Sequence, residues 1–299
     1  MFWWRRPDGT LVRDLSPTKQ IMPYIMRGRN ESAFYLEQLI SLHETDAYIR
    51  AFNDAYPQHP IGVQHVVMRA IAEVMTRYPT MNRFVAGGRL YQRDEIWFSY
   101  SAKQSLKEGA PLIVVKRRFR ADEPFVDMVA DMHAQLRDSR YGGGVTRSDQ
   151  EIGLIMKLPG MGRRAVLAIG RFADAYGLLP RSFIDEDPLY ASAFFANLGS
   201  IGQPSGYHHL YEYGSIGVFC VIGKPTAEPG SPTHGPGRRR TMSLKWTFDE
   251  RTEDGLVASF SLRLCKQAVE DPVGVLHLPV PPAAGAGHER AQRQAAGSP

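Results

Sequence analysis

The stretch "FDERTEDGLVASF", residues 248–260, places four carboxylates and one arginine directly before an apolar pattern with helical spacing. The preceding residues 241–247, "TMSLKWT", alternate between apolar and polar side chains, which predicts a β-strand. A helix is predicted to begin near Asp254 and to stop at Pro272. Its apolar stripe is predicted to consist of Leu256, Val257, Phe260, Leu264 and Val269. Glu250 therefore lies in an acidic turn between a strand and a helix.

The composition is that of an ordinary globular protein. The chain has 299 residues, of which 43% are hydrophobic and 22% are charged, so it can bury a full core without disulfides or metals. No run of about 18 apolar residues occurs, so we expect no membrane association. Cys220 and Cys265 lie in apolar runs, and we expect both to be buried thiols. So few cysteines fit a reducing, cytoplasmic location.

The chain carries a formal net charge of +5, with basic clusters at 116–120 and 237–240. Such charge favours an anionic partner, either nucleic acid or a phosphate-bearing cofactor. Because no nucleic-acid-binding motif accompanies the clusters, we expect no nucleic-acid partner. Arg238, Arg239 and Arg240 are candidate contacts for an anionic cofactor, with a solvated loop end as the alternative.

Several common sites are not indicated by any motif. No glycine-rich G-x-G-x-x-G or G-K-[ST] loop is present, which disfavours the mononucleotide-binding folds. Neither H-E-x-x-H nor paired C-x-x-C occurs, so we expect no metal site.

Helical and alternating patterns are mixed irregularly along the chain, which predicts a two-layer α/β sandwich. Helices are predicted at 45–56, with Thr45 as the N-cap, and up to Tyr78, where Pro79 ends the pattern. Residues 1–14 are interpreted as an N-terminal arm, and residues 15–272 as one domain. Residues 273–299 are interpreted as a disordered tail because their composition cannot build a core.

Four stretches together resemble one known family. Residues 241–272 are similar to the end of the catalytic domain in the acyltransferase component of 2-oxoacid dehydrogenase complexes, where a strand precedes D-H-R-x-x-D-G and a helix closes near E-D-P. "LSPTKQIMPYIMRGRNES" (15–32), "MRAIAEVMTRYPTMNRF" (68–84) and "FFANLGSIG" (194–202) resemble other segments of that domain, in the same order. The resemblance spans residues 15–272.

The resemblance implies a chloramphenicol acetyltransferase-like fold, a mixed sheet with helices on one face. It also implies a homotrimer with each active site between neighbouring subunits, and coenzyme A or an acyl-CoA as substrate. A family histidine acts there as general base, and a hydroxyl in the S-N-L-G turn stabilises the oxyanion. We expect no covalently attached lipoyl group, since no lipoyl-carrying module precedes residue 15.

Both catalytic positions depart from the family pattern. Glu250 occupies the position of the histidine, and Ala196 stands where a hydroxyl would precede Asn197. Asp254 matches an aspartate that orders the turn, although an N-terminal helix position also explains it. His208 and His209 are alternative candidate bases.

Two functions therefore stay open. The chain is an acyltransferase with altered machinery, or it is a pseudoenzyme: a catalytically silent trimeric scaffold or acyl-CoA-binding protein.

Overall fold

The computed structural model describes residues 6–103, 112–120, 122–141, 153–232, 239–253 and 255–280. The strands are β1 (Gly9–Leu11), β2 (Ala33–Ser41), β3 (Arg83–Ala86), β4 (Arg89–Arg93), β5 (Ile96–Lys103), β6 (Leu112–Phe119), β7 (Ala193–Asn197), β8 (Val218–Ile222), β9 (Thr226–Ala227) and β10 (Arg240–Asp249). The helices are α1 (Pro17–Ile25), α2 (His43–Ala55), α3 (Val63–Arg77), α4 (Phe125–Tyr141), α5 (Gly160–Ala175), α6 (Arg181–Glu186) and α7 (Gly255–Glu270). Short 3-10 helices span Pro79–Asn82 and Leu198–Ile201.

The main sheet has the strand order β2-β10-β8-β7-β5-β6, with β9 added beside β10. It is mixed: β7 runs parallel to both β5 and β8, and the remaining pairs are antiparallel. A second, small sheet has the order β1-β4-β3. The residues interpreted as an N-terminal arm thus contribute strand β1 to this small sheet.

Alternation along β10 separates the two faces of the main sheet. Met242, Leu244, Trp246 and Phe248 point into the main core, which is closed by side chains of α2, α3, α4 and α7. The opposite face carries a smaller apolar cluster that includes Phe219, covered by residues of the 189–216 segment. The predicted two-layer α/β sandwich, with its mixed sheet and its helices on one face, is confirmed.

The strand predicted over residues 241–247 is confirmed as part of β10. Helix α7 begins at Gly255, next to the predicted start near Asp254. The predicted stripe of α7 is partly wrong, because Leu256 and Phe260 are 65% and 42% exposed. The buried residues of α7 are Ala258, Ser261, Leu262, Cys265, Ala268 and Val269. Small side chains allow α7 to pack closely on α3 and β2, so bulk was a poor guide to its buried face.

Thr45 is not an N-cap. Helix α2 begins two residues earlier, at His43, and the Thr45 hydroxyl is buried and donates to the carbonyl of Val269 in α7. The side chain therefore joins two helices across the core.

Strand β2 was not predicted, although Phe34, Leu36 and Ile40 alternate toward the core.

The two cysteines confirm their prediction. Cys220 and Cys265 are fully buried free thiols, and burial raises the pKa of Cys265 to about 12. Both therefore serve as small apolar side chains in the core.

Of the segment 273–299, the structure describes residues 273–280. Leu276 and Leu278 there are 6% and 5% exposed and belong to the main core. Within the described part of the chain, no helix is long and apolar enough to cross a membrane.

We expect Leu276→Ala and Leu278→Ala each to lower the free energy of unfolding by about 2–5 kcal/mol, because each removes a buried leucine. Val280→Ala is the matched control, since Val280 is 74% exposed and its loss should change stability by less than about 0.5 kcal/mol. Urea unfolding followed by tryptophan fluorescence measures all three. Equal midpoints for the leucine variants and the control would contradict the packing of this segment.

Candidate functional site

The acidic turn, residues 249–253, is held by a buried ion pair at the end of β10. Asp249 is 1% exposed, and its carboxylate accepts from Arg251 Nε at 2.8 Å and from Arg251 Nη2 at 2.7 Å. It also accepts from the Ser32 hydroxyl at 2.9 Å. A buried charge pair of this kind is tolerable because hydrogen bonds satisfy the carboxylate on several sides.

Arg251 also ties the turn to the chain that follows α1. Its Nη1 donates to the carbonyls of Met26 and Arg27 at 3.2 and 3.0 Å. At the other end of the turn, Lys19 of α1 pairs with Glu253 at 2.6 Å. The turn and α1 are therefore fixed to each other at two points.

Glu250 lies between these anchored residues. Its backbone N–H donates to the carbonyl of Ser32 at 2.9 Å, and its side chain is exposed. The backbone of Glu250 is thus positioned by the turn, while its carboxylate is presented to solvent. Asp254 lies outside the described residues, so its ordering role stays a prediction.

Ala196 and Asn197 lie at the C-terminal end of the interior strand β7, on the side of the sheet away from Glu250. We call this side, formed by the ends of β7 and β8, the Asn197 edge. Asn197 pairs with Ile222, and Ile222 pairs with Leu244, six residues before Glu250 on β10. Six residues of strand span roughly 20 Å. Within one chain, the structure therefore does not bring Glu250 and the predicted oxyanion turn together.

The predicted oxyanion turn, residues 196–202, is fixed by hydrogen bonds. Asn197 Oδ1 accepts from the N–H of Ser200 at 3.0 Å, and its Nδ2 donates to Gln64 Oε1 at 3.0 Å. Gly199 is required by space, since a Cβ there would lie 2.5 Å from the carbonyl oxygen of Gly223. The side chain of Asn197 thus has a structural task, and Ala196 supplies no polar group.

Hydroxyl groups that the sequence reading missed lie at this same edge. Ser200 is exposed, and its hydroxyl donates to the carbonyl of Asn197 at 2.7 Å. Ser205 donates to Ser243 at 2.8 Å, and Ser243 donates to Glu37 at 2.6 Å. Ser200 is local to the turn, three residues after Asn197, whereas only the strand register, which the sequence does not show, brings Ser205 and Ser243 to this edge.

His208 and His209 lie over the outer face of the sheet, at the level of Thr247, whose hydroxyl donates to the carbonyl of His208 at 2.6 Å. The ring of His208 stacks on Phe219 with centroids 4.0 Å apart, and its Nδ1 donates to the carbonyl of His209 at 2.7 Å. Burial lowers the pKa of His208; the bond to this carbonyl opposes the shift, and the nearby His209 adds to it. His208 is therefore a stacked side chain whose burial disfavours the charged imidazolium, whereas His209 is exposed.

The basic cluster at the start of β10 divides into different environments. Arg240 pairs with Asp46 of α2 at 2.5 Å, so its guanidinium already has a counterion within the fold. Arg239 lies next to it, and Arg238 lies outside the described residues. Because Arg240 precedes Leu244 on β10, this cluster lies toward the Asn197 edge of the sheet and away from Glu250. No group of three or more histidine, cysteine or acidic side chains able to hold a metal occurs among the described residues.

No family model and no curated protein matches the sequence. Solved structures do match the fold. A probable dihydrolipoamide acetyltransferase from Listeria monocytogenes aligns with a TM-score of 0.57 at 13% identity, over 88% of this chain and 95% of that chain. A truncated catalytic core of the 2-oxoacid dehydrogenase multienzyme complex from Thermoplasma acidophilum aligns with a TM-score of 0.54 at 14% identity, over 88% and 99%.

A third similar structure is the dihydrolipoamide acetyltransferase of Azotobacter vinelandii, with a TM-score of 0.56 at 14% identity over 89% of this chain and 94% of that chain. A serine, a histidine and an asparagine have been investigated in the catalytic mechanism of that enzyme. At these identities the likeness shows the fold alone. The chain has the fold of the catalytic core of the 2-oxoacid dehydrogenase acyltransferases.

Proposed function

We propose that this protein is an acyltransferase that takes its acyl group from a coenzyme A thioester, with Glu250 as the general base. The observation that supports this most strongly is the acidic turn. Its buried Asp249–Arg251 pair fixes the backbone around Glu250 and leaves the carboxylate free in solvent. The shared fold of the dihydrolipoamide acetyltransferase cores supports the reaction class.

The proposed site is completed by a second copy of the chain. Glu250 and Ser200 lie at opposite edges of the same sheet, so a base and an oxyanion donor meet only where two chains are adjacent. We therefore propose a homotrimer in which the Glu250 edge of each chain faces the Asn197 edge of its neighbour. In that arrangement Arg239 is a candidate contact for the phosphates of coenzyme A.

A carboxylate is a weak base for a thiol. The free groups differ by about 4 pKa units, or roughly 6 kcal/mol of proton-transfer driving force. Ala196 also removes one expected oxyanion donor, a role that we assign to the exposed Ser200 hydroxyl, which takes it by releasing its hydrogen bond to the carbonyl of Asn197. Losing the usual base and donor can each lower a rate by roughly 10²-fold or more, so the proposed turnover is slow.

The second candidate function is a catalytically silent trimer that binds acyl-CoA. One observation favours it: the single hydroxyl hydrogen of Ser200 is already donated to the carbonyl of Asn197, so this turn has no uncommitted hydroxyl donor for an oxyanion. Binding of acyl-CoA without thiol release would support this function over the first.

The stability of the protein should depend on the buried charge of Asp249 in the acidic turn. We expect Asp249→Asn to lower the free energy of unfolding by about 3–5 kcal/mol, because it leaves the buried Arg251 guanidinium without a counterion. Glu250→Gln, the matched control, should change stability by less than about 0.5 kcal/mol, since its side chain is exposed. Urea unfolding provides the measurement. Similar losses in both variants would show that the ion pair does not hold the turn.

Glu250→Gln tests the catalytic proposal directly. The amide keeps the shape of the side chain and removes its basicity, so thiol release from acyl-CoA donors should fall by roughly 10²-fold or more while acyl-CoA still binds. The rate is followed by a thiol-reactive dye, and binding is followed by calorimetry.

The control is a His208→Ala/His209→Ala double variant, which should keep turnover within a few-fold. Turnover that survives Glu250→Gln but is lost in the double histidine variant would move the base to the 208–209 segment. The absence of turnover in the unmodified protein, together with saturable acyl-CoA binding, would favour the silent trimer.

A further inference from the structure

A cavity of about 320 Å³ opens beside the acidic turn. Its walls come from the segment after α1, the β3–β4 turn, the second half of α5 and residues 212–214. Four of its lining side chains are arginines: Arg27, Arg29, Arg171 and Arg251. We call this cavity the basic pocket.

The two buried arginines of the basic pocket differ in how they are neutralised. Arg251 has the carboxylate of Asp249 as its counterion. Arg29, which is 7% exposed, donates instead to the backbone carbonyls of Tyr211, Glu212 and Val85, at 3.4, 3.0 and 3.3 Å. A guanidinium carries five N–H donors, so these three bonds do not exhaust it. Within the described ranges, Arg29 forms no ion pair with a carboxylate.

The charge at Arg29 is correspondingly costly. Burial lowers the pKa of Arg29, and the nearby Arg251 adds to the shift, whereas Asp249, Asp174 and Glu212 oppose it without overcoming it. Buried charges in proteins are ordinarily paired, since an isolated ion loses its hydration without compensation. A bound anion would supply the missing compensation.

The two exposed arginines at the rim of the basic pocket are free to contact an anion. Arg27 and Arg171 are exposed, and neither guanidinium makes a side-chain hydrogen bond or an ion pair with any residue that the structure describes. Like charges that line one pocket repel each other. Arg27 and Arg171 therefore add to the positive charge of the buried Arg29 in the basic pocket.

The carboxylates of the basic pocket are already engaged. Asp174 pairs with Arg6, which lies outside the pocket, at 2.9 Å. Glu212 accepts from the backbone N–H groups of Arg29 and Asn30 at 3.0 Å each. Burial alone would raise the pKa of Glu212, but these hydrogen bonds lower it, so the group is a carboxylate that is satisfied locally. Neither carboxylate is left to neutralise Arg27 or Arg171.

We infer that the basic pocket binds the anionic group, a carboxylate or a phosphate, of a substrate that reacts at the neighbouring Glu250. Planar guanidinium groups pair with both kinds of oxyanion through two parallel hydrogen bonds. Arg251 lines the pocket and adjoins Glu250 in the acidic turn, so an anion held there lies beside the proposed base. The link to a substrate rests on the proposed acyl transfer, whereas anion binding by the pocket does not.

Calorimetric titration with inorganic phosphate and with succinate tests the binding. Ionic strength is held constant with sodium chloride, because screening alone changes weak electrostatic binding. The variants are Arg27→Gln/Arg171→Gln and the matched control Arg164→Gln, which removes an exposed arginine of α5 that does not line the pocket. All three altered side chains are exposed, so urea midpoints should stay unchanged.

We expect the double variant to weaken binding of at least one anion by roughly tenfold or more, since it removes two charge-assisted hydrogen-bonding partners. Arg164→Gln should stay within about twofold of the unmodified protein. No heat beyond the sodium chloride blank, or equal weakening in the double variant and the control, would overturn the inference.

Competition then identifies the source of the anion. Displacement of phosphate by coenzyme A but not by pantetheine assigns the group to the phosphates of coenzyme A. Displacement by succinyl-pantetheine but not by acetyl-pantetheine assigns it to a carboxylated acyl group. Anion binding in a protein that never releases thiol would leave the pocket standing and reject the acyl transfer, so the two failures are distinguishable.

Discussion

The buried pair of Asp249 and Arg251 is the interaction on which the architecture of the candidate site depends. It closes the end of β10, and through the carbonyls of Met26 and Arg27 it also fixes the chain between α1 and β2. Placing two charges in a core costs free energy of desolvation, which is recovered only when geometry and hydrogen bonding are good. That requirement makes the turn a single, well-defined conformation with Glu250 on its outer side.

The same sheet that anchors this turn also divides the candidate site. Strand β10 carries Glu250 at one end, and the register through β8 places Asn197 beside the middle of β10. A reaction that uses both Glu250 and the Ser200 hydroxyl therefore needs two chains, as proposed above. The basic pocket extends the Glu250 side of this arrangement, because the Arg251 guanidinium both anchors the turn and lines the pocket. The structure thus places the acidic turn and the basic pocket at one end of the strands, and the hydroxyls of Ser200, Ser205 and Ser243 toward the other.

Much of the fold could be predicted from periodicity. Helix α3 and strand β10 have apolar patterns that their burial reproduces, and Pro79 follows the end of α3 as predicted. Prediction was less successful where small or polar side chains are buried. The contact face of α7 uses alanine, serine and cysteine, and Thr45 reaches across to another helix, so neither has a strong apolar signal. Individual candidate residues, such as Glu250 and Ala196, could be named from the sequence. The separation of the site into two edges, the position of Ser205 beside Ser243 and the pocket around Arg29 depend on long-range contacts that the sequence does not show.

The division of the site between chains is tested most directly by cross-linking. Cysteines are introduced at Glu250 and Ser200 in one chain, and the native Cys220 and Cys265 do not interfere because they are buried. A bismaleimide much shorter than the roughly 20 Å between these positions within one chain cannot join them intramolecularly. Covalent dimers and trimers on a denaturing gel are expected from the double-cysteine protein, and neither single-cysteine protein should form trimers. Only monomeric bands, at a concentration where light scattering shows an oligomer, would contradict a site built from two chains.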